Sequence, residues 1–248
     1  MITAIINIYK RPKSYLIEQI EALKQQTVPP AEIWVWHNRP EDGEFIQGIE
    51  ELGVKVIYST HNFKFHGRFA AALLAKTEYI AIFDDDTVPG IRWFENCLNT
   101  IKAGCDGILG TTGVCIDGDT TYVPAHKYGW NGFRVDKIVE VDLVGHAWFL
   151  NKNHLRYLWY QDPLVWQTGE DIQLSHFAQK HGNIRTYVPP HPEDDTSLWG
   201  SHPQKGMQYG TDQHGASVGD EGNTSLHYRN ECVRKCVEDG WELVKHRR

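Results

Sequence analysis

The sequence predicts an α/β fold in which a mostly parallel sheet is flanked by helices. In the first 90 residues, short apolar runs rich in β-branched and aromatic side chains alternate with segments of helical periodicity. That alternation is typical of βαβ units, whose strands pair in parallel. Polar side chains also follow directly after several of these runs, at the strand ends where such sheets bind ligands.

The elements of the first half can be placed in order along the chain. Predicted strands cover residues 2–8, 32–36, 54–58 and 79–83, and predicted helices cover residues 14–26 and 69–76. The first helix is predicted because Leu16, Ile20 and Leu23 recur at a helical interval, and it ends before Pro29. The second helix is rich in alanine and leucine, which favour helical structure.

The second half of the chain is less regular. Strands are predicted near residues 107–111 and 140–144, and helices near residues 152–159, 171–180 and 230–244. Residues 189–223 are rich in Pro, Gly, His and Asp, and we expect a long loop or a series of turns there. Residues 1–190 are expected to form one domain with halves at 1–90 and 91–190, and residues 191–248 to extend that same domain.

The composition is that of an ordinary globular protein, with 41% hydrophobic and 23% charged residues. The formal net charge of −7 gives no electrostatic reason to expect a nucleic acid as a partner. No apolar run is long enough for a transmembrane segment, and Lys10 and Arg11 follow the first apolar run, the reverse of a secretory signal. The five cysteines include no CxxC pair, so no disulfide framework is indicated. We therefore expect a soluble, cytoplasmic protein.

Three consecutive aspartates follow the predicted strand at residues 79–83. Side chains alternate along a strand, so Asp84 and Asp86 are expected to point one way and Asp85 the other. Two carboxylates on one side raise each other's pKa unless a cation lies beside them. Mg²⁺ and Mn²⁺ prefer oxygen ligands, and Mg²⁺ sites often combine carboxylates with substrate phosphates. The run therefore predicts a site for a metal-bound diphosphate, with a solvated acidic turn as the alternative.

The start of the chain carries a more specific pattern. An apolar strand leads into Tyr9-Lys10-Arg11-Pro12, and the following helix ends in Gln26-Thr27-Val28-Pro29. With the Asp triplet, this region resembles the inverting GT-A glycosyltransferases of the large family that includes cellulose, chitin and hyaluronan synthases. In that family an Asp at the end of the second strand contacts the nucleotide base, whereas this sequence has His37-Asn38 there. The resemblance implies contacts to the nucleotide sugar from Asn7, Tyr9, Arg11, His37 and Asn38.

Residues 62–78 resemble the family segment that carries a Gly-x-x-x-Ala helix before the acidic strand end. Gly67 would let the backbone approach the nucleotide closely, and Arg68 would neutralise phosphate or contact the base. The alternative for Arg68 is an ordinary surface arginine at a helix start. The resemblance also implies that Asp84 and Asp85 contact the donor, with Asp84 near the ribose, and that Asp86 and Asp84 hold the metal.

A second acidic motif begins the predicted helix at residues 171–180. Gly169-Glu170-Asp171 resembles the family's Glu-Asp motif, in which the Asp opens a helix and serves as catalytic base. The chemistry is coherent, because an inverting transfer needs one carboxylate to take the proton of the acceptor hydroxyl. Backbone amides at the helix start would orient Asp171, with Glu170 alongside. The alternative is an acidic residue that only caps the helix.

Aromatic and small residues between the two acidic motifs suggest sugar contacts. The run Val144-Gly145-His146-Ala147-Trp148 resembles the strand that lines the family's donor-sugar pocket. In this run, Gly145 leaves room for a sugar ring, Trp148 offers an aromatic face, and His146 lies between them. Trp130 and Trp166 are candidates for acceptor contacts, with ordinary packing as the alternative for each tryptophan.

The family usually adds a third metal ligand, often a His after the catalytic base. Neutral imidazole is a sound ligand for Mn²⁺. We prefer His191, which follows the strand after the base helix, while His202, His214 and His227 remain alternatives.

The leading hypothesis is a Mn²⁺- or Mg²⁺-dependent inverting hexosyltransferase. It would move a sugar from a nucleoside diphosphate sugar, UDP-linked, to a hydroxyl of a glycan or glycoconjugate acceptor, with residues 1–90 binding the nucleotide and residues 91–190 the acceptor. One alternative is a nucleotidyltransferase acting on sugar phosphates, which normally has a Gly-rich loop where this chain has Tyr9-Lys10-Arg11-Pro12. The other is a non-catalytic carbohydrate-binding protein, a class that is usually all-β.

Overall fold

The structure is a computed structural model that describes residues 1–39, 44–118, 120–210 and 222–247. Within these residues, nine strands form one mixed sheet. The strands are β1 (Ile2–Ile8), β2 (Glu32–Asn38), β3 (Lys55–Ser59), β4 (Tyr79–Phe83), β5 (Ile108–Ile116), β6 (Pro124–Gly129), β7 (Val139–Val141), β8 (Leu143–Asn151) and β9 (Thr186–Val188). Their order across the sheet is β3-β2-β1-β4-β8-β5-β9-β7, and β6 pairs with β5.

Helices cover both faces of this sheet. They are α1 (Lys13–Lys24), α2 (Gly67–Ala72), α3 (Trp93–Lys102), α4 (Lys152–Leu155), α5 (Glu170–Gly182), α6 (Pro203–Gly210) and α7 (Gly222–Glu238). Short 3-10 helices lie at Glu50–Leu52, Arg156–Trp159, Thr196–Leu198 and Val244–His246. No helix of the described ranges combines the length and the apolar character that crossing a bilayer requires.

The predicted α/β fold is confirmed, and the parallel pairing is concentrated in the first half of the sheet. β1 pairs in parallel with β2 and β4, and β2 with β3. In the second half, β8 runs antiparallel to both β4 and β5. The change of direction brings β8 back beside the end of β4, which places residues from the two halves of the chain next to each other.

Strands β1 and β4 have the predicted bounds, and the main differences lie elsewhere. Helix α3 and strand β6 were not predicted, although Trp93, Phe94 and Cys97 of α3 are fully buried at helical spacing. The expected loop at 189–223 contains α6 and the start of α7, with residues 211–221 outside the described ranges. The last long helix therefore begins at Gly222 and ends at Glu238, earlier than predicted at both ends.

Packing on both faces of the sheet explains why the sequences of the central strands are continuously apolar. All seven residues of β1 are buried, because helices cover it on both faces. Ile5 faces one cluster with Phe69 and Trp148, and Ile6 faces the other with Leu16. A third cluster packs α7, through Cys232 and Cys236 among others, against the start of α5 and strands β5 and β8. The cysteines are therefore packing residues, as expected.

Helix α2 lies unusually close to β2, and Gly67 makes this possible. A Cβ atom at Gly67 would lie 2.4 Å from Cζ2 of the buried Trp36 indole. The sequence analysis assigned Gly67 to a close approach of the nucleotide. In the structure, the group that approaches Gly67 on its Cβ side is the Trp36 indole.

Replacing Gly67 by alanine is expected to lower the free energy of unfolding by about 1–3 kcal/mol, the usual effect of overpacking a core. Urea unfolding measures it. Gly145→Ala is the matched control, because no atom lies within 4 Å of a Cβ at Gly145. Equal losses of stability in the two variants would contradict the packing role of Gly67.

Candidate active site

Asp84, Asp86 and His146 converge at the end of β4. Each offers a ligand atom, and these atoms lie within 4.8 Å of one another. His146 Nδ1 lies 3.9 Å from both Asp84 Oδ2 and Asp86 Oδ1. These residues come from two strands that pair antiparallel, with Phe83 opposite Ala147.

An irregularity in β8 directs His146 toward the aspartates. The β5–β8 register shifts near this point, so that β8 carries one extra residue, and His146 has a φ of 66°. A positive φ is uncommon for a residue other than glycine, and bulges often redirect a side chain beside a functional site. The His146 carbonyl accepts hydrogen bonds from Asp84 N at 2.9 Å and Thr87 Oγ1 at 3.0 Å, which hold the turn after β4 against the bulge.

The donor set of this group suits a divalent cation. His146 Nδ1 is buried and has no hydrogen-bond partner among the described residues. Burial alone would lower the pKa of His146, but the charges of Asp86 and Asp84 outweigh it and raise the pKa. The two carboxylates match the oxygen ligands that Mn²⁺ and Mg²⁺ prefer, and the unpartnered imidazole nitrogen offers a third donor, which favours Mn²⁺ over Mg²⁺. Asp84, Asp86 and His146 could therefore hold such an ion.

Arg11 lies on the other side of the Asp triplet. Its guanidinium is buried, donates from Nε to Asp85 Oδ1 at 3.1 Å, and lies 3.7 Å from Asp86 Oδ2. Burial and the charge of Asp86 raise the pKa of Asp85 to about 7, although Arg11 opposes the shift. The expected strand alternation does not extend through these residues, because β4 ends at Phe83 and the chain then turns. Arg11 consequently contacts both Asp85 and Asp86.

The other residues assigned to the nucleotide differ in whether their side chains already form hydrogen bonds within the protein. Asn7 is buried and its Oδ1 has no hydrogen-bond partner within the described residues, while Tyr9 is half-buried next to Lys10. His37 Nε2 accepts from Ile46 N at 2.9 Å. Asn38 accepts from Trp36 Nε1 at 3.0 Å and donates to the carbonyl of Lys64 at 3.0 Å. The side chains of His37 and Asn38 therefore hold the end of β2 to neighbouring segments.

Arg68 connects the two acidic motifs. It is only 2% exposed, donates to Asp84 Oδ1, and lies 3.2 Å from Glu170 Oε1. Its guanidinium lies 4.9 Å from the ring centre of Trp148. Arg68 is therefore a buried bridge, not a surface arginine. The indole of Trp148, which was expected to receive a sugar, packs against this cation, and its ring centre lies 5.3 Å from that of Phe69 in an edge-to-face arrangement.

Asp171 lies in the first turn of α5, as predicted. Its Oδ1 accepts a hydrogen bond from Ile172 N at 2.8 Å. Burial and the neighbouring Glu170 raise the pKa of Asp171 to about 7, although Arg229 opposes the shift. Burial also raises the pKa of Glu170, which Arg68 partly offsets.

Gly169 sets the entry into α5. It has a φ of 91°, and an added Cβ would lie 2.9 Å from Cys232 Sγ of α7. Glycine tolerates that backbone conformation and leaves room for the sulfur. Helix α7 thus packs directly against the residue that precedes the Glu170-Asp171 pair.

One cavity of about 170 Å³ joins the two acidic motifs. Its walls include Asp84 and His146 from the β4–β8 end, Arg68 from α2, and Glu170 and Asp171 from α5. Gly145 and Trp148 also line it. A sugar bound there would have the metal-ligand group and the carboxylate of Asp171 in the walls around it.

The structure does not place His191 at this site. His191 is fully buried, its Nδ1 lies 2.7 Å from the Pro189 carbonyl oxygen, and its Nε2 lies 2.9 Å from Thr111 Oγ1. Both ring nitrogens are therefore bound within the protein. Burial lowers the pKa of His191 to about 4, which keeps the ring neutral. The prediction of His191 as third metal ligand is wrong, and His146, which was assigned to sugar contacts, takes that place in the geometry.

The remaining histidine and tryptophan candidates lie in different settings. His202 donates its backbone N–H to Val88 O at 2.6 Å, and it is not part of the acidic group. His227 is exposed on α7, and His214 lies outside the described residues. Trp130 is buried and meets His146 edge-on at 5.2 Å, whereas Trp166 is 52% exposed.

The sequence analysis missed several residues of the cavity. Among them are Tyr122 from the segment before β6, Lys127 from β6 and Arg229 from α7. They belong to no recognisable motif and reach the cavity only because α7 packs beside β5 and β8. A basic residue in the last helix was the only signal available, and it is common in any sequence.

Comparison with known proteins agrees with this geometry. The family model for glycosyl transferase family 2 matches residues 3–159. The fold is similar to the crystal structure of S. aureus TarS, a GT-A glycosyltransferase, with a TM-score of 0.55 and 19% sequence identity. The similarity covers 79% of this chain and 35% of TarS, so most of TarS has no counterpart here. No curated protein matches the chain.

The matched residues make up more than half of the chain and include both the Asp triplet and His146. The mixed α/β sheet also decides against the all-β carbohydrate-binding alternative. The chain therefore belongs to glycosyl transferase family 2, and its fold is similar to that of TarS.

Proposed function

We propose that this glycosyltransferase moves a hexose from a UDP-linked donor to a hydroxyl of a glycan or glycoconjugate, with inversion at the anomeric carbon and with Mn²⁺ or Mg²⁺ as cofactor. The observation that carries the proposal is the cavity whose walls contain Asp171 together with Asp84 and His146, two members of the Asp84–Asp86–His146 group. Such a transfer needs a group that stabilises the leaving diphosphate and a base that removes the acceptor proton, and the two sets of residues would supply one each.

Asp84, Asp86 and His146 are the residues that would hold the cation. When bound, the cation supplies positive charge that stabilises the departing diphosphate. Burial acts to raise the pKa of Asp86, but His146 and Arg11 outweigh it and lower the pKa. Asp86 is therefore ionised at neutral pH and available as a ligand.

Asp171 is the proposed general base. Because its Oδ1 already accepts the Ile172 N–H, its Oδ2 is the oxygen available to take the proton of the acceptor hydroxyl. A pKa of about 7 matches this role, since a base titrating near the working pH combines ionisation with proton affinity. Glu170 is a positioning residue, because it holds Arg68 and so ties α5 to Asp84.

A donor screen tests the proposal. UDP-, GDP- and dTDP-hexoses are added with and without Mn²⁺, and the thermal midpoint and the release of nucleoside diphosphate are measured. We expect stabilisation by a UDP-hexose that requires Mn²⁺, and a product whose anomeric configuration, determined by NMR, is opposite to that of the donor. Retained configuration would contradict the inverting mechanism. Release of pyrophosphate would instead support the nucleotidyltransferase alternative.

The pH dependence of the transfer provides a further prediction. The base must be deprotonated, so kcat/KM is expected to increase about tenfold per pH unit below pH 7 and to level off above it. Asp85 titrates in the same range, so the dissociation constant of the donor is measured at each pH to separate donor binding from proton transfer. A flat profile of kcat/KM between pH 5 and pH 8 (roughly two units below and one above that pKa) would remove Asp171 as the base.

A further inference from the structure

The walls of the cavity near Asp171 contain two cations, Arg229 and Lys127, that form no salt bridge with any described residue. Arg229 of α7 and Lys127 of β6 both line the cavity together with Asp171. Neither side chain forms an ion pair or donates a hydrogen bond within the described part of the chain. Arg68, the third cation in the walls, is bound at both ends by Asp84 and Glu170.

Arg229 is held in place without using its N–H groups. Its guanidinium lies 5.4 Å from the ring centre of Tyr122, and the backbone N–H of Tyr122 donates to Asn230 Oδ1 at 2.7 Å. A cation–π contact of this kind holds the guanidinium near the ring without using its N–H donors. A planar edge of N–H donors binds phosphate and carboxylate groups in a bidentate manner.

Lys127 lies where a surface groove meets the cavity. A shallow groove of about 420 Å³ along β6 shares Lys127 and Asn131 with the cavity and continues to Phe133, which is 63% exposed. The groove is lined by neither the Asp triplet nor Arg11. The groove meets the cavity at Lys127 and Asn131, and we take it as the side from which an acceptor enters.

We propose that Arg229 and Lys127 form an anion subsite beside Asp171, and that the acceptor carries a phosphate or carboxylate group near the hydroxyl that is glycosylated. This inference rests on the proposed function, because it requires Asp171 to be where the acceptor reacts. The chemistry distinguishes it from a site for the donor diphosphate, whose proposed ligands lie around Asp84, Asp86 and His146. Any anionic acceptor of the right shape, such as a uronic acid or a polyol phosphate, meets the requirement.

Matched acceptor pairs test the inference. Initial rates are measured with Mn²⁺ and the productive donor for methyl glucoside against methyl glucuronide, and for glycerol against glycerol 1-phosphate. The charged member is expected to have a kcat/KM about 10- to 100-fold higher, the scale of a hydrogen bond to a charged group. Arg229→Gln is expected to bring this ratio close to one. Using the ratio cancels any loss that affects both acceptors equally.

Arg234→Gln is the control, since Arg234 is on the same helix, is exposed and pairs with Glu238 at 2.8 Å. It should leave the ratio unchanged. A wild-type enzyme with no preference for charged acceptors would overturn the inference. So would an Arg229→Gln variant that lowers both rates equally, because Arg229 would then act on the donor or on Asp171.

Binding of inorganic phosphate gives a second, independent measurement. The full chain is titrated with phosphate in the presence of EDTA, and saturable binding is expected to weaken in Arg229→Gln and in Lys127→Gln. Lys127 is exposed, so its replacement does not threaten folding. Phosphate binding that neither substitution weakens would overturn the subsite. Failure of donor binding with Mn²⁺ would instead contradict the proposed function and leave this result standing.

Discussion

Replacing Asp171 by asparagine is expected to lower kcat by about 10²- to 10⁴-fold, the usual contribution of a general base. The amide has nearly the same shape and its oxygen still accepts the Ile172 N–H, so the start of α5 is preserved. It cannot take up the acceptor proton. Metal-dependent binding of the donor should therefore be retained while turnover is lost.

Single-turnover rates and calorimetric titration of the donor check both halves of this prediction. Asp162→Asn is the control, because it makes the same change at an exposed position a few residues earlier. An Asp171→Asn enzyme with nearly normal turnover would exclude Asp171 from the reaction. If Asp171→Asn loses donor binding as well as turnover, the substitution disturbs the cavity. In that case Glu170→Gln is expected to disturb it too, because Glu170 holds Arg68.

Removing a metal ligand should have the second large effect. Asp86→Asn and His146→Gly are each expected to weaken Mn²⁺-dependent donor binding by about 100-fold or more, since even residues that only support metal ligands contribute 10- to 100-fold. Glycine is chosen at His146 because it accepts the φ of 66° observed there. Without metal, the two variants and the wild-type protein should bind the donor equally weakly.

Donor titrations with Mn²⁺ and with EDTA measure this difference. His202→Ala is the informative comparison, because the sequence analysis considered that residue and the structure keeps it out of the acidic group. Unchanged affinity in His146→Gly combined with reduced affinity in His202→Ala would reverse the assignment made from the geometry.

Several parts of the site were predictable because they depend on short stretches of chain. The run Tyr79–Phe83 is apolar and stops at Asp84, so both the buried strand and its acidic end are visible locally. Asp171 opens α5 and was placed correctly at its first turn for the same reason. An apolar strand and an acidic helix start are patterns that neighbouring residues determine among themselves.

Other roles depended on contacts between residues far apart in sequence. Gly67 was assigned to the nucleotide, but its neighbour in space is Trp36. Arg68 was interpreted as a contact to phosphate or base, with a surface arginine as the alternative, and neither interpretation foresaw its burial between Asp84 and Glu170. No local pattern reveals which partner a side chain meets across a sheet or between helices.

The metal group illustrates this division most clearly. Local sequence was enough to predict carboxylates at the end of β4, but it selected His191 as their partner and assigned His146 to the sugar. The choice follows from the antiparallel pairing of β8 with β4 and from the extra residue in β8, which together direct His146 toward Asp84 and Asp86. Strand register depends on packing throughout the sheet, and a shift of one residue reverses the side that every side chain faces, so this contact could only emerge from the folded chain.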